Sequence, residues 1–142
     1  MRLLVLGTGS MARNQVANFL AIDGVEVVGA VDTDPARLAE FADHFHIEKR
    51  FLTLEEAIAW GDFDAATNVT PDRIHHATSL ALISAGKHVF CEKPLAEHYD
   101  HALEMTEAAE AAGVINMVNL TYRNVAPLQK ATLAPRRPKG LS

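Results

Sequence analysis

The sequence predicts an α/β fold built on a doubly wound parallel sheet, and three observations carry that expectation. Short apolar runs alternate with helical segments along most of the chain. The runs are continuous rather than alternating, as in strands covered on both faces. The first of them leads directly into a glycine-rich turn. Parallel neighbours need a crossover, and a helix is the usual one.

The elements follow in order. Residues 3–6 form the first apolar run, and residues 12–20 carry Ala12, Val16, Phe19 and Leu20 at helical spacing. The second run covers 25–31; Pro35 then stands at a first helical position, with Leu38, Phe41, Ala42 and Phe45 on one face. Thr53 and Glu56 make a capping-box signature, and Gly61 can end that helix in a left-handed conformation. Residues 65–69 read as a strand, after which Thr70 is expected to cap a helix whose first position is Pro71, closed by Gly86. Residues 89–91 form the next strand. A helix carrying Ala102, Met105, Ala109 and Ala112 ends at Gly113, and 114–118 supply the last clear strand. Six strands alternating with helices are expected, of which these runs place five, and right-handed crossovers favour the two-halved nucleotide-binding topology.

Composition bounds the function. At 142 residues, 49% hydrophobic and 22% charged, the chain fits one globular domain. Its apolar runs fall well short of the roughly 18 residues of a membrane span, and MRLLVLG reaches glycine too soon for a signal-peptide core. A net charge of −5 argues against nucleic-acid binding. The single cysteine, Cys91, fits a reducing cytoplasm and reads as a small buried strand-end residue. None of the seven histidines has the spacing of a metal-binding motif, so no metal is expected.

The glycine turn, Gly7-Thr8-Gly9-Ser10-Met11-Ala12, is G-x-G-x-x-A. Gly7 permits the tight turn, Gly9 lets the backbone approach a pyrophosphate, and Ala12 is small enough for close helix packing. A helix beginning near Ser10 offers N–H groups and its positive dipole end to the phosphates. Asp32 follows the second strand, where a carboxylate accepts hydrogen bonds from an adenosine ribose. It also repels a 2′-phosphate, so NAD is favoured over NADP, with Arg37 near enough to keep the question open. Strand, turn, helix, strand and acid together predict a dinucleotide-binding Rossmann fold over residues 1–123.

A second motif, KHVFCEKPLAE at 87–97, breaks an apolar strand into Glu92, Lys93 and Pro94. An ordinary turn, a surface ion pair and a reactive site are the competing readings. GTGSMA at 7–12, VDTDP at 31–35, TPDRIH at 70–75, AGKHVFCEKPLA at 85–96 and NLTYRNVAP at 119–127 occur together and in order. With them the sequence resembles the Gfo/Idh/MocA oxidoreductases, the family of glucose-fructose oxidoreductase and inositol dehydrogenase. The resemblance implies an NAD(P)-dependent oxidoreductase passing hydride between nicotinamide and a sugar, polyol or related hydroxy compound. It implies that Lys93 lies beside nicotinamide and substrate and handles the hydroxyl proton, a role suited to a lysine partly withdrawn from water. It places Glu92 near the nicotinamide ribose, implies a cis bond before Pro94, and lays Thr70, Pro71 and His75 along the cofactor. His75 either touches the cofactor or packs beneath it, and His76 reads as structural. Tyr122 and Arg123 fall where the family crosses into its substrate domain; Arg123 either fixes that junction or reaches substrate.

The family's second α/β domain is not in this sequence. Residues 124–142, ending in TLAPRRPKGLS, read as a truncated linker and an aberrant exposed tail, by truncation or a shifted frame. Sequencing the gene through and beyond these codons tests that reading; a native stop with no downstream family-like frame counts against it. The expected partners are a nicotinamide dinucleotide and, only where a substrate domain is supplied, a small-molecule substrate. Homo-oligomer formation stays open. Two alternatives stand beside the enzyme: a non-catalytic dinucleotide-binding module and an inactive fragment.

Overall fold

The computed structural model describes residues 1–120. Tyr122, Arg123 and the whole of 124–142 lie outside the described residues. Six strands, β1 (Arg2–Leu6), β2 (Glu26–Val31), β3 (Lys49–Phe51), β4 (Ala65–Asn68), β5 (His88–Cys91) and β6 (Asn116–Val118), form one sheet in the order β3-β2-β1-β4-β5-β6. Every pairing is parallel. The helices are α1 (Ser10–Leu20), α2 (Pro35–His44), α3 (Leu54–Trp60), α4 (His75–Ser84) and α5 (Tyr99–Ala112).

Strand side chains alternate between faces, so β1 feeds two cores. Val5 joins Ala12, Val16, Leu38 and Phe41 beneath α1 and α2. Leu4 and Leu6 join Leu54, Ala57, Leu82, Ile83 and Ala109 beneath α3, α4 and α5. A fully buried side chain of Phe41's class contributes about 1.5–3 kcal/mol. This two-sided burial is why the strands are continuously apolar. No helix among the described residues is long and apolar enough to cross a membrane.

The punctuation acts largely as expected. Thr53 and Glu56 form a reciprocal capping box, and Gly61 and Gly113 are left-handed at φ 71° and 67°. Asp34 caps α2 ahead of Pro35 by accepting from the N–H groups of Ala36 and Arg37. Lys87, from the AGKHV segment, donates to the carbonyls of Gly61 and Phe63 at 2.8 and 2.6 Å, so it braces the α3–β4 connection.

Two expectations need correction, and one strand went unplaced in the sequence. Thr70 does not cap a helix starting at Pro71: its hydroxyl donates to Asn68 Oδ1 at 2.6 Å. The chain instead makes a 3-10 turn, Asp72–Ile74, before α4 begins at His75. Leu20 ends α1 exposed rather than on its buried stripe. The strand Lys49–Phe51 has no apolar run of its own, because as an edge strand it turns Lys49 and Arg50 to solvent. The opposite edge, β6, exposes Met117.

Candidate functional site

From β1 and β4, neighbours at the centre of the sheet, the chain winds outward in opposite directions, leaving a crevice at their carboxyl ends. Gly7 lies there, its N–H donating to the Val31 carbonyl at 2.9 Å. Its φ is +92°, and a Cβ on it would stand 2.9 Å from the carbonyl oxygen of Val69. Conformation and space both demand glycine. Gly9 differs: it caps α1 with an ordinary negative φ of −73°, and a Cβ there would meet no protein atom within 4 Å. What Gly9 keeps clear is therefore the approach to the helix end. No side chain caps α1, so its first N–H groups and positive dipole end face the crevice.

Asp32 sits beside this turn with 8% of its surface exposed. Oδ2 accepts from the Thr8 N–H (2.9 Å), the Thr8 hydroxyl (2.7 Å) and Arg37 Nε (3.0 Å). Oδ1 accepts from the Asp34 N–H (2.9 Å) and Arg37 Nη2 (2.8 Å). Burial pushes the carboxyl upward, but the Arg37 guanidinium, helped by the donors of Asp34 and Thr8, outweighs it and holds Asp32 well below the usual carboxylate range. Asp32 is thus an anion with its lone pairs engaged by protein donors.

A cleft of about 880 Å³ joins these parts. Gly7, Thr8, Gly9, Ser10, Met11, Asp32, Thr70 and Pro71 all line it, as does Arg37. Four other sequence-predicted site residues do not. Ala12 is fully buried beneath α1, as close packing requires. His75 is also fully buried, with Nδ1 2.8 Å from the Pro94 carbonyl oxygen and Nε2 2.8 Å from that of Thr70. It ties the loop after β5 to the loop after β4. Of its two readings, packing beneath the site fits this geometry.

Glu92 and Lys93 leave the carboxyl end of β5. The peptide between Lys93 and Pro94 is cis. Glu92 is buried and accepts from Gln15 Nε2 (2.5 Å), Asn119 Nδ2 (2.6 Å) and the Lys93 N–H (3.1 Å). Lys93 itself is exposed, so among the described residues nothing withdraws it from water.

Cys91 is fully buried, and burial pushes its thiol up to about 11, assisted by Glu92 and Asp72 and only partly opposed by a hydrogen bond from Ser79. A thiol so protonated is a poor nucleophile. In the native protein Cys91 is expected to resist iodoacetamide at about pH 8 for a period that fully labels the urea-unfolded chain. Mass spectrometry reads the difference, and fast native labelling would contradict the buried placement.

A family model described as an oxidoreductase family with an NAD-binding Rossmann fold matches residues 1–120. This chain belongs to the Gfo/Idh/MocA oxidoreductase family. Among its relatives, 1,5-anhydro-D-fructose reductase of Ensifer adhaerens is 38% identical over 122 residues, covering 86% of this chain and 37% of the relative. The structure of an Agrobacterium radiobacter oxidoreductase in complex with NAD+, L-tartaric acid and magnesium superposes with a TM-score of 0.87 at 28% identity, over 92% of this chain and 38% of that one. The WlbA dehydrogenase of Bordetella pertussis, in complex with NADH and UDP-GlcNAcA, gives a TM-score of 0.85 at 30% identity, over 92% and 40%. The chain therefore spans about two fifths of these proteins, the part that carries the family's cofactor fold.

The Gfo/Idh/MocA glycine turn here fits a dinucleotide on its own geometry. The clearance around Gly9, the uncapped start of α1 and an ionised acid all face one cleft. Sequence reasoning missed Gln15, which is buried on the helix face shared by Ala12 and Val16. A glutamine on an otherwise apolar stripe was the available signal. Asn119 was read as part of a motif but given no role; it sits at the end of β6, where it reaches Glu92.

Proposed function

We propose that this chain is the cofactor-binding part of an oxidoreductase that takes NAD in preference to NADP and acts on a sugar, polyol or related hydroxy compound. The observation that carries the proposal is the convergence of Gly7, Gly9, the uncapped α1 and ionised Asp32 on one cleft. Residues 7–12 hold the pyrophosphate at the helix end. Asp32 receives the adenosine ribose once Arg37 releases its two hydrogen bonds, and Thr70 and Pro71 wall the opposite side. A 2′-phosphate meets the Asp32 charge, worth about 4 kcal/mol per charge pair at 4 Å in a surface environment. Arg37 offsets part of that repulsion.

When bound, nicotinamide supplies the hydride acceptor or donor. Glu92 holds the nicotinamide ribose, His75 supports the wall from behind, and Lys93 takes the substrate hydroxyl proton at Nζ. The relatives support the substrate class, since one is named for an anhydro sugar and another is complexed with a nucleotide sugar. A cytoplasmic setting belongs to the same reading and rests on the lone, buried Cys91.

Calorimetric titration tests the proposal. NAD is expected to bind at least about tenfold more tightly than NADP, a margin of about 1.4 kcal/mol. Equal or tighter NADP binding overturns the preference, and no binding of either by folded protein overturns the whole reading. A binding module without chemistry is the second reading, favoured by the exposure of Lys93. In an assembly that turns over a hydroxy substrate, Lys93→Ala is expected to lower kcat by about 100-fold or more while NAD affinity is kept. Turnover insensitive to Lys93 removes its role.

A further inference from the structure

We propose that Gln15 is a positioning residue that sets Glu92 for the nicotinamide half of the cofactor, coupling the helix that receives the phosphates to the strand end that carries Lys93. This rests on the dinucleotide reading above. Gln15 lies in the second turn of α1, on the stripe that buries Ala12 and Val16. Helical side chains lean toward their own N-terminus. Gln15 therefore reaches back toward the carboxyl edge of the sheet, across β4 to the end of β5.

Its amide is spoken for on both sides. Nε2 donates to Glu92 Oε1, and Oε1 accepts from the Thr67 hydroxyl of β4. A carboxylate only accepts, so the amide orientation is fixed: the NH2 group must face Glu92. Asn119 donates to the same Glu92 oxygen, while among the described residues Oε2 receives only the Lys93 N–H. Oε1 is thus filled from α1 and β6, and Oε2 keeps acceptor capacity beside Lys93. The chain Thr67–Gln15–Glu92–Asn119 crosses four elements with its three side chains from β4, α1 and the β5 end buried.

The donors to Glu92 are neutral amides, so its buried charge depends on hydrogen bonds alone at these contacts. Removing the Gln15 amide leaves Oε1 with Asn119 as its one remaining donor among the described residues, so the carboxylate can turn and Oε2 is misaligned. The adenosine half of the site, built on Gly7, Gly9 and Asp32, shares none of these bonds. Gln15 is accordingly expected to matter for the complete dinucleotide and not for its adenosine end.

The test uses the whole chain with NAD and ADP as calorimetric probes. Gln15→Met keeps an unbranched side chain of similar size and removes both hydrogen bonds. It is expected to weaken NAD binding about tenfold and leave ADP binding within about twofold. Thr67→Val, which removes the bond that orients the amide, is expected to give the same selective loss at about threefold, and it decides the matter if Gln15→Met fails to fold. Equal weakening of both probes would mark Gln15 as part of the general fold, and no change in either would remove its role; both outcomes overturn the inference. A wild type that binds ADP but not NAD removes the dinucleotide reading and the inference with it. A wild type that binds NAD, beside variants that keep the NAD-to-ADP ratio, removes the inference alone.

Discussion

Gly7→Ala is expected to destabilise the protein by about 3 kcal/mol and to abolish dinucleotide binding, whereas Gly9→Ala should leave stability almost unchanged and weaken binding about tenfold or more. At Gly7 two penalties add. A left-handed φ costs an alanine about 1–2 kcal/mol, and a Cβ at 2.9 Å from the Val69 carbonyl oxygen forces the two loop backbones apart, at a further 1–3 kcal/mol. That movement displaces Thr8, whose N–H and hydroxyl hold Asp32. At Gly9 neither penalty exists, because φ is ordinary and no protein atom lies within 4 Å of the new methyl group. Thermal melts and NAD titrations of the two variants separate the cases. Equal melting temperatures would show that the Gly7 turn is not strained by a side chain.

The second large effect is at Asp32. Asp32→Asn removes the charge that Arg37 pairs with and turns an acceptor-only group into one with an NH2 that faces donors. A loss of about 3 kcal/mol is expected, the scale for breaking a buried charged hydrogen-bond set. For a domain of this size that lowers Tm by about 10 °C. Because the folded carboxyl lies below its unfolded value of about 3.9, its stabilisation is fully present above that range. It is lost as pH falls through the folded value. Wild type should therefore lose stability below about pH 4, with a component that Asp32→Asn lacks. Parallel acid unfolding curves for the two proteins would show that Asp32 contributes nothing to the pH dependence. On the proposed placement of the adenosine ribose at Asp32, the variant should also bind NAD more weakly.

Most of the fold was legible because a two-sided parallel sheet writes itself as uninterrupted apolar runs, and because the Thr53–Glu56 box, Gly61 and Gly113 act locally. The glycine-turn side of the cleft was legible for the same reason: a turn, a helix start and an acid are neighbours in a short βαβ unit. What was not legible depends on distant partners. Thr70 was read as a cap, but Asn68 takes its hydroxyl while bonding Thr78 and Ser79 of α4. The strand Lys49–Phe51 is held by β2 and shows no pattern of its own. Gln15 finds Glu92 across 77 positions of sequence. Motif order indicated that Glu92 and Lys93 belong together with the glycine turn, and the fold shows the physical link between them.

The two margins of the sheet are chemically unequal. Along β3, a foreign strand seeking free N–H and C=O groups meets Lys49 and Arg50, charges that discourage pairing. Along β6 it meets Met117, flanked by the exposed Ile115 and Leu120. Among the described residues the sheet is therefore guarded at one side and adhesive at the other. A strand added to the sheet would therefore meet the least resistance at the β6 side, where Asn119 already reaches Glu92.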